Sequence, residues 1–255
     1  MIKNIFTLVI ISLIGSSLFA QGTDLNYSEG NTQLKGYLVK PSAKGKAPGV
    51  VVLHAWMGLT PFEKNSADKL GQLGYYAIAA DSYGTDGRPA SVEEAGKTSG
   101  YYKSNRTLYR ARIKAAIDEL IRAGADPSKI AVIGYCFGGT GALEAARANF
   151  PVKGVVSFHG GLDQAAGMEH GGIHPKILAL HGADDPFVPK QQVQTFQAEM
   201  RDCKADWQMI YYADAVHSFT EPGAGNDKSK GAAYNEAAAR RSWEHMKLFL
   251  REIFA

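Results

Sequence analysis

Six residues, Gly134-Tyr135-Cys136-Phe137-Gly138-Gly139, restrict this chain more than any others. They follow Lys129-Ile130-Ala131-Val132-Ile133, an apolar run that reads as a buried strand, and precede Thr140 to Ala146, which reads as the start of a helix. A strand that passes straight into a helix brings two backbones close together. Gly134 and Gly138 fit that approach, because a Cβ at either place would collide with the neighbouring element. The residue between them is held in a strained conformation with its side chain presented outward. The N–H groups at the helix start point at the sulfur, which favours thiolate over thiol. Packing glycines around a buried structural cysteine would give the same local pattern. The order of residues downstream weighs toward a nucleophile.

The rest of the chain repeats the alternation of strand and helix. A hairpin is expected at Asp24–Glu29 and Thr32–Val39, closed by Gly30-Asn31. Gly49 to His54 is a continuous apolar run, the pattern of a parallel strand buried on both faces. A helix over Glu63–Leu73 stops at Gly74, and strand Tyr75–Ala80 leads into a loop rich in Gly, Ser and Pro that starts at Asp81. Helix Arg106–Ala123 places Ile113, Ile117, Leu120 and Ile121 on one face. Strand Gly154–Phe158, a Gly-rich loop from Gly160 to His174, strand Ile177–His181, helix Lys190–Cys203 and strand Trp207–Tyr212 follow. A last helix is expected over about Ser229–Ile253. The predicted fold class is α/β, a mostly parallel sheet with helices on both faces and active residues at the C-terminal ends of the strands.

A chain of 255 residues is long enough for one such domain with a full core. It carries 28 Lys and Arg against 25 Asp and Glu, with no basic stripe, so a nucleic-acid surface is not expected. Residues 1–20 read as a signal peptide: Lys3 is the positive start, Ile5 to Ile14 the apolar stretch, and Ser16 to Ala20 the small-residue cleavage region. That leaves 21–255 as the mature domain, expected to be periplasmic or secreted and free of the membrane after cleavage. Two cysteines make no disulfide framework. Cys203 falls in register with Val193, Phe196 and Met200, and is expected as a buried small hydrophobe.

A thiolate nucleophile needs a base to handle protons and an acid to orient the base. In the α/β-hydrolase fold the chain order is nucleophile, then Asp or Glu, then His. After Cys136 come Asp184 and Asp185 at the end of one strand, and His217 after the last strand. Asp184 and Asp185 compete for the acid role on position alone, since an Asp near Pro also caps turns. His54 and His159 stand at strand ends and are expected near the pocket. Trp56, Tyr101 and Tyr102 read as core more readily than as pocket walls. His170 and His174 have a metal-like spacing, but Gly171-Gly172 between them argues against one helical face, and no metal or other cofactor is expected.

Three segments, Gly-Tyr-Cys-Phe-Gly-Gly at 134–139, Gly-Ala-Asp-Asp-Pro-Phe-Val-Pro at 182–189 and Val-His-Ser-Phe at 216–219, make the chain resemble the dienelactone hydrolases. The resemblance covers nearly the whole mature chain. It implies an α/β-hydrolase fold and cleavage of a small ester or lactone through a cysteinyl acyl-enzyme. It maps the nucleophile to Cys136, the acid to Asp185, the base to His217, and the oxyanion-hole N–H groups to Trp56 and Phe137. It implies no cofactor, and a small-molecule ester or lactone as substrate, with the oligomeric state left open. One position departs from the pattern: Ala55 stands where the family's enzyme has a Glu that controls protonation of the cysteine. Arg88 and Arg106 lie in the segment of the family's substrate-carboxylate arginines, and read here as exposed charges. A different class of function on the same scaffold is a non-hydrolytic binding protein or thiol redox sensor, but such a sensor needs only a low-pKa thiol and not Asp185 with His217.

Overall fold

The computed structural model describes residues 21–42, 45–165 and 171–255. The expected signal peptide and His170 lie outside the described residues. The strands are β1 (Thr23–Glu29), β2 (Thr32–Val39), β3 (Gly49–Leu53), β4 (Tyr76–Ala80), β5 (Ile130–Tyr135), β6 (Gly154–Phe158), β7 (Lys176–Gly182) and β8 (Trp207–Tyr212). They form one sheet in the order β1-β2-β4-β3-β5-β6-β7-β8. β1 and β2 are an antiparallel hairpin, β2 runs antiparallel to β4, and every other pairing is parallel. The helices are α1 (Pro61–Gln72), α2 (Val92–Ser104), α3 (Arg106–Arg122), α4 (Phe137–Arg147), α5 (Lys190–Asp202) and α6 (Glu236–Phe254).

The central strands are hydrophobic on both sides because both sides are covered. Along β5, Ile130 and Val132 pack with Ile113 and Ile117 of α3, Ala142 of α4 and Phe196 of α5. Their neighbours Ala131, Ile133 and Tyr135 pack with Leu70 of α1 and Met246 and Phe249 of α6. Fully burying one such aliphatic side chain stabilises the fold by about 1.5–3 kcal/mol, so the continuous apolar runs are what the two-sided sheet demands.

Three expectations are corrected. The loop after β4 contains a helix, α2, capped by Ser91, whose side chain accepts from the Glu94 N–H. The last helix begins later than Ser229: Asn235 caps it, accepting from the Ala238 N–H, and Lys228–Lys230 is a separate single turn. Cys203 is half-buried; it is the C-terminal cap of α5 and packs at the edge of the core.

Candidate active site

The elbow is as tight as its glycines require. A Cβ on Gly134 would lie 2.0 Å from the Gly138 carbonyl oxygen, and one on Gly138 would lie 2.3 Å from the Leu53 oxygen. Cys136 sits between them at φ 53° and ψ −112°, a conformation that costs a non-glycine residue about 1–3 kcal/mol. The surrounding strand and helix hold it there, and α4 begins at the next residue, Phe137.

Two loops at the C-terminal ends of β7 and β8 meet this sulfur. His217 Nε2 is 3.0 Å from Cys136 Sγ, and His217 Nδ1 is 2.8 Å from Asp185 Oδ2. Asp185 is buried, and its other oxygen accepts from the Phe187 N–H at 2.9 Å. Asp184 is exposed, and its backbone N–H bonds to the Ala215 oxygen. The competition between the two aspartates is therefore resolved by geometry: only Asp185 reaches the imidazole.

Burial alone would push the His217 pKa down. The negative sulfur, its hydrogen bond and the Asp185 carboxylate overcome this and push it up to about 10. An imidazolium with both N–H groups donating, one to sulfur and one to carboxylate, is the protonation state this arrangement favours.

The loop after β3 lies on the other side of the thiol and is held by three side chains. His54 bonds through Nδ1 to the Ala55 oxygen at 2.6 Å, and its Nε2 accepts from the Ser82 N–H. Burial keeps the His54 ring neutral, which suits one nitrogen donating and the other accepting. Glu63 Oε1 accepts from the Ala55 N–H at 3.1 Å, and its Oε2 accepts from both the N–H and the hydroxyl of Thr60. The Tyr83 hydroxyl donates to the Trp56 oxygen at 2.9 Å. None of these bonds uses the Trp56 N–H. The Phe137 N–H, first in α4, has no acceptor within the helix. Phe137 itself is clamped against Tyr109, with ring centroids 4.4 Å apart.

Other expected residues land elsewhere. His54 and His159 are fully buried and support the site from behind rather than lining a pocket; the His159 ring packs edge-on against His217 at 5.3 Å. Tyr102 is core and Tyr101 is exposed. Arg88 bonds to Asp81 and to the Lys35 oxygen. Arg106 is not an exposed charge: it is buried and bonded to Asp163, with Glu144 nearby. Sequence reasoning missed Glu63. The signal was there, in the capping box Thr60-Pro61-Phe62-Glu63 that opens α1.

The chain matches the dienelactone hydrolase family over residues 34–254 and belongs to it. It is a dienelactone hydrolase-like hydrolase of the α/β class. A solved dienelactone hydrolase-like promiscuous phosphotriesterase from metagenomic libraries is 37% identical, with a TM-score of 0.85 over 92% of this chain and 98% of its own. A Salmonella typhimurium protein provisionally named carboxymethylenebutenolidase is 26% identical over 91% of this chain and 84% of its own length. A Bradyrhizobium protein provisionally named 2-oxo-3-(5-oxofuran-2-ylidene)propanoate lactonase is 25% identical over 84% and 88%.

Proposed function

We propose that this protein is an exported hydrolase of small, uncharged esters or lactones that works through a Cys136–His217–Asp185 triad. The observation that carries the reading is the pair of short contacts on the two nitrogens of one imidazole, 3.0 Å to the sulfur and 2.8 Å to the carboxylate. Cys136 Sγ attacks the carbonyl carbon, and the N–H groups of Phe137 and Trp56 receive the oxyanion. The C–O bond to the leaving alcohol breaks, and the His217 Nε2 proton passes to that oxygen. His217 then takes a proton from water as the water attacks the thioester, releasing the acid and restoring the thiolate. Asp185 holds the imidazole in the tautomer that both steps need.

Relatives named for lactone and phosphotriester hydrolysis support a small-molecule substrate. A substrate without charge is favoured because both arginines already face carboxylates of the protein: Arg88 bonds to Asp81, and Arg106 is buried with one nitrogen on Asp163 and another 3.7 Å from Glu144. Near His217 the exposed neighbour is apolar, the Phe187 ring at 5.4 Å. Export rests on residues 1–20, and the mass of the mature protein from a periplasmic or secreted fraction tests it.

The main experiment is a panel of activated esters and lactones, each with and without a carboxylate group, run before and after treatment with iodoacetamide. Neutral substrates should turn over faster than their carboxylate partners, and alkylation of Cys136 should abolish turnover. Cys203 is the internal control, because burial and the nearby Glu199 and Asp202 charges push its thiol pKa up. Full activity after stoichiometric modification of Cys136 would end the reading.

A further inference from the structure

The two edges of the sheet are built differently. β1, at one edge, carries acids held in ion pairs: Asp24 with Lys35 and Lys64, and Glu29 with Arg112. Charged side chains on an edge discourage a further strand from adding there. β8, at the other edge, reads Trp207-Gln208-Met209-Ile210-Tyr211-Tyr212, with no charge, no Pro and no Gly. Its parallel pairing with β7 uses every second residue, since the Asp206 oxygen accepts from Ile177 N and the Tyr212 oxygen from Ala183 N. The N–H and C=O groups of Trp207, Met209 and Tyr211 therefore point away from β7. Among the described residues no strand pairs with that side of β8. Two large apolar side chains stand exposed beside it, Tyr211 at 46% and Leu248 of α6 at 59%. Leu248 shares a small hollow with Gln208, Ile210 and His245, at the middle of the strand.

We propose that β8 is the docking edge for a second copy of this chain, which adds its own β8 antiparallel across a twofold axis through Met209. The register follows from the outward-pointing groups. With Met209 on the axis, Met209 faces Met209 of the second copy, and Trp207 and Tyr211 each face the other. Every outward-pointing residue then meets an outward-pointing residue, and each such pair exchanges two N–H···O bonds. An axis through Gln208 would set Tyr211 opposite Ala205, and one through Ile210 would set Trp207 opposite Ala213; both alanines lie beyond the strand ends.

The charges at the strand ends select the same axis. Lys204 precedes β8 and Asp214 follows it, and both are exposed. They lie equally far from Met209 along the chain, so the pairing sets Lys204 beside Asp214 of the second copy at each end. The other charges there are already matched within the chain, Asp206 by Lys176 at 3.1 Å, while Asp214 also meets Lys228. Leu248 lies beside the strand centre, so the twofold axis brings the Leu248 side chains of the two copies toward each other. A contact of this isologous kind makes every favourable interaction twice. A strand from an unrelated protein could form the same backbone bonds, but nothing would oblige it to bring an acid to Lys204 and a base to Asp214. The result is one sheet continuous through both copies, closed at its outer ends by the charged β1 edges.

Sedimentation velocity on the wild-type protein, from about 1 to about 100 µM, reads the association directly and needs no substrate. The expected species has twice the protomer mass. Tyr211→Lys and Leu248→Lys each put a charge on the docking edge and should weaken association by about tenfold or more. Met209→Pro removes an N–H that β7 does not use and should leave a folded monomer, with circular dichroism as the check on folding. Lys204→Asp and Asp214→Lys should each weaken association by about three- to tenfold, and the double variant should recover it. A wild type that stays monomeric at about 100 µM would overturn the proposal. So would a dimer whose affinity is unchanged by Tyr211→Lys and Leu248→Lys, because some other surface would then be pairing. A double charge exchange no tighter than its single variants would overturn the axis through Met209. If Met209→Pro does not fold, the lysine variants and the charge exchange still decide the matter.

Discussion

The elbow and the base loop both end at the contact between Cys136 and His217, yet they are held in different ways. The elbow is local. Its geometry follows from one strand, one turn and one helix, and from backbone approaches that only glycine permits at Gly134 and Gly138. The base loop is held from far along the chain. His217 donates its backbone N–H to the Gly231 oxygen and accepts from the Ala233 N–H, and Asn235 N bonds to the Phe219 oxygen. It also leans on the acid loop, where Asp184 N bonds to Ala215 O. The comparison teaches that the sulfur is fixed by steric exclusion, whereas the imidazole that meets it is fixed by hydrogen bonds that can be adjusted one at a time.

A pair of glycine substitutions tests that contrast most sharply. Gly134→Ala pushes a methyl into backbone that cannot move aside, and should destabilise the fold by more than about 4 kcal/mol, so that little native protein accumulates. Gly231→Ala meets the Pro186 and Phe187 side chains at 2.8 and 2.9 Å and carries the strain of φ +81°. It should cost about 1–3 kcal/mol and leave a folded but slower enzyme. Urea denaturation with activity on the same samples separates the two. A Gly134→Ala protein of wild-type stability would remove the steric account of the elbow.

Next in size are the reacting groups. His217→Ala should lower kcat/KM by about 10²–10⁴-fold without changing the urea midpoint much. Cys136→Ser should lose most of the activity, because a serine hydroxyl is not pre-ionised by an imidazolium and a helix N-terminus. A serine variant as fast as the wild type would show that the sulfur is not special.

How much of this was legible in the sequence follows the same local and distant division. The elbow, the hairpin and the strands of the sheet are written in short patterns, and β6 and β8 occupy the spans their apolar runs predict. Helix α2 was not legible as a helix. Gly96 and Gly100 interrupt it, and only Ala95, Ser99 and Tyr102 are buried along it, too thin a stripe to read. The start of α6 was placed early because the basic stretch at Lys228–Lys230 also forms a turn. For the site, the family pattern named Cys136, Asp185 and His217, but not what lies behind them. Glu63 is the case in point: its carboxylate reaches the Ala55 N–H eight residues back, a contact that only the fold of the loop after β3 creates. Arg106 misled for a related reason, since its partner Asp163 comes from a distant loop.

The acid loop offers a discrimination between adjacent residues. Asp185→Asn keeps the shape but replaces an acceptor with a group that can present N–H to the imidazole, and should lower kcat/KM by about 10²-fold or more. Asp184→Asn, at an exposed position whose structural bond is made by its backbone, should stay within about twofold of the wild type. Equal effects from the two would mean that Asp185 does not orient His217.

The smallest expected effect concerns stability against pH. His217 has its pKa raised from an ordinary value near 6.5 to about 10 in the folded protein. A group raised in this way contributes stability that is complete below its unfolded value and is lost as pH rises through its folded value. The window therefore runs from about 6.5 to about 10. In the folded protein Asp185 accepts from His217 and from Phe187 N. In Asp185→Asn one of the groups that raises His217 is gone, and the contribution should be smaller and end at lower pH. The wild type should then exceed the variant by about 1–2 kcal/mol near pH 6.5, with the gap narrowing as pH approaches 10, because a hydrogen bond between two charged partners is worth more than one to a neutral ring. Urea midpoints measured at intervals across that range give the gap directly. A gap that stays constant with pH would mean that the Asp185–His217 contact is the same whether or not the ring is charged, and that the imidazolium is held by the sulfur alone.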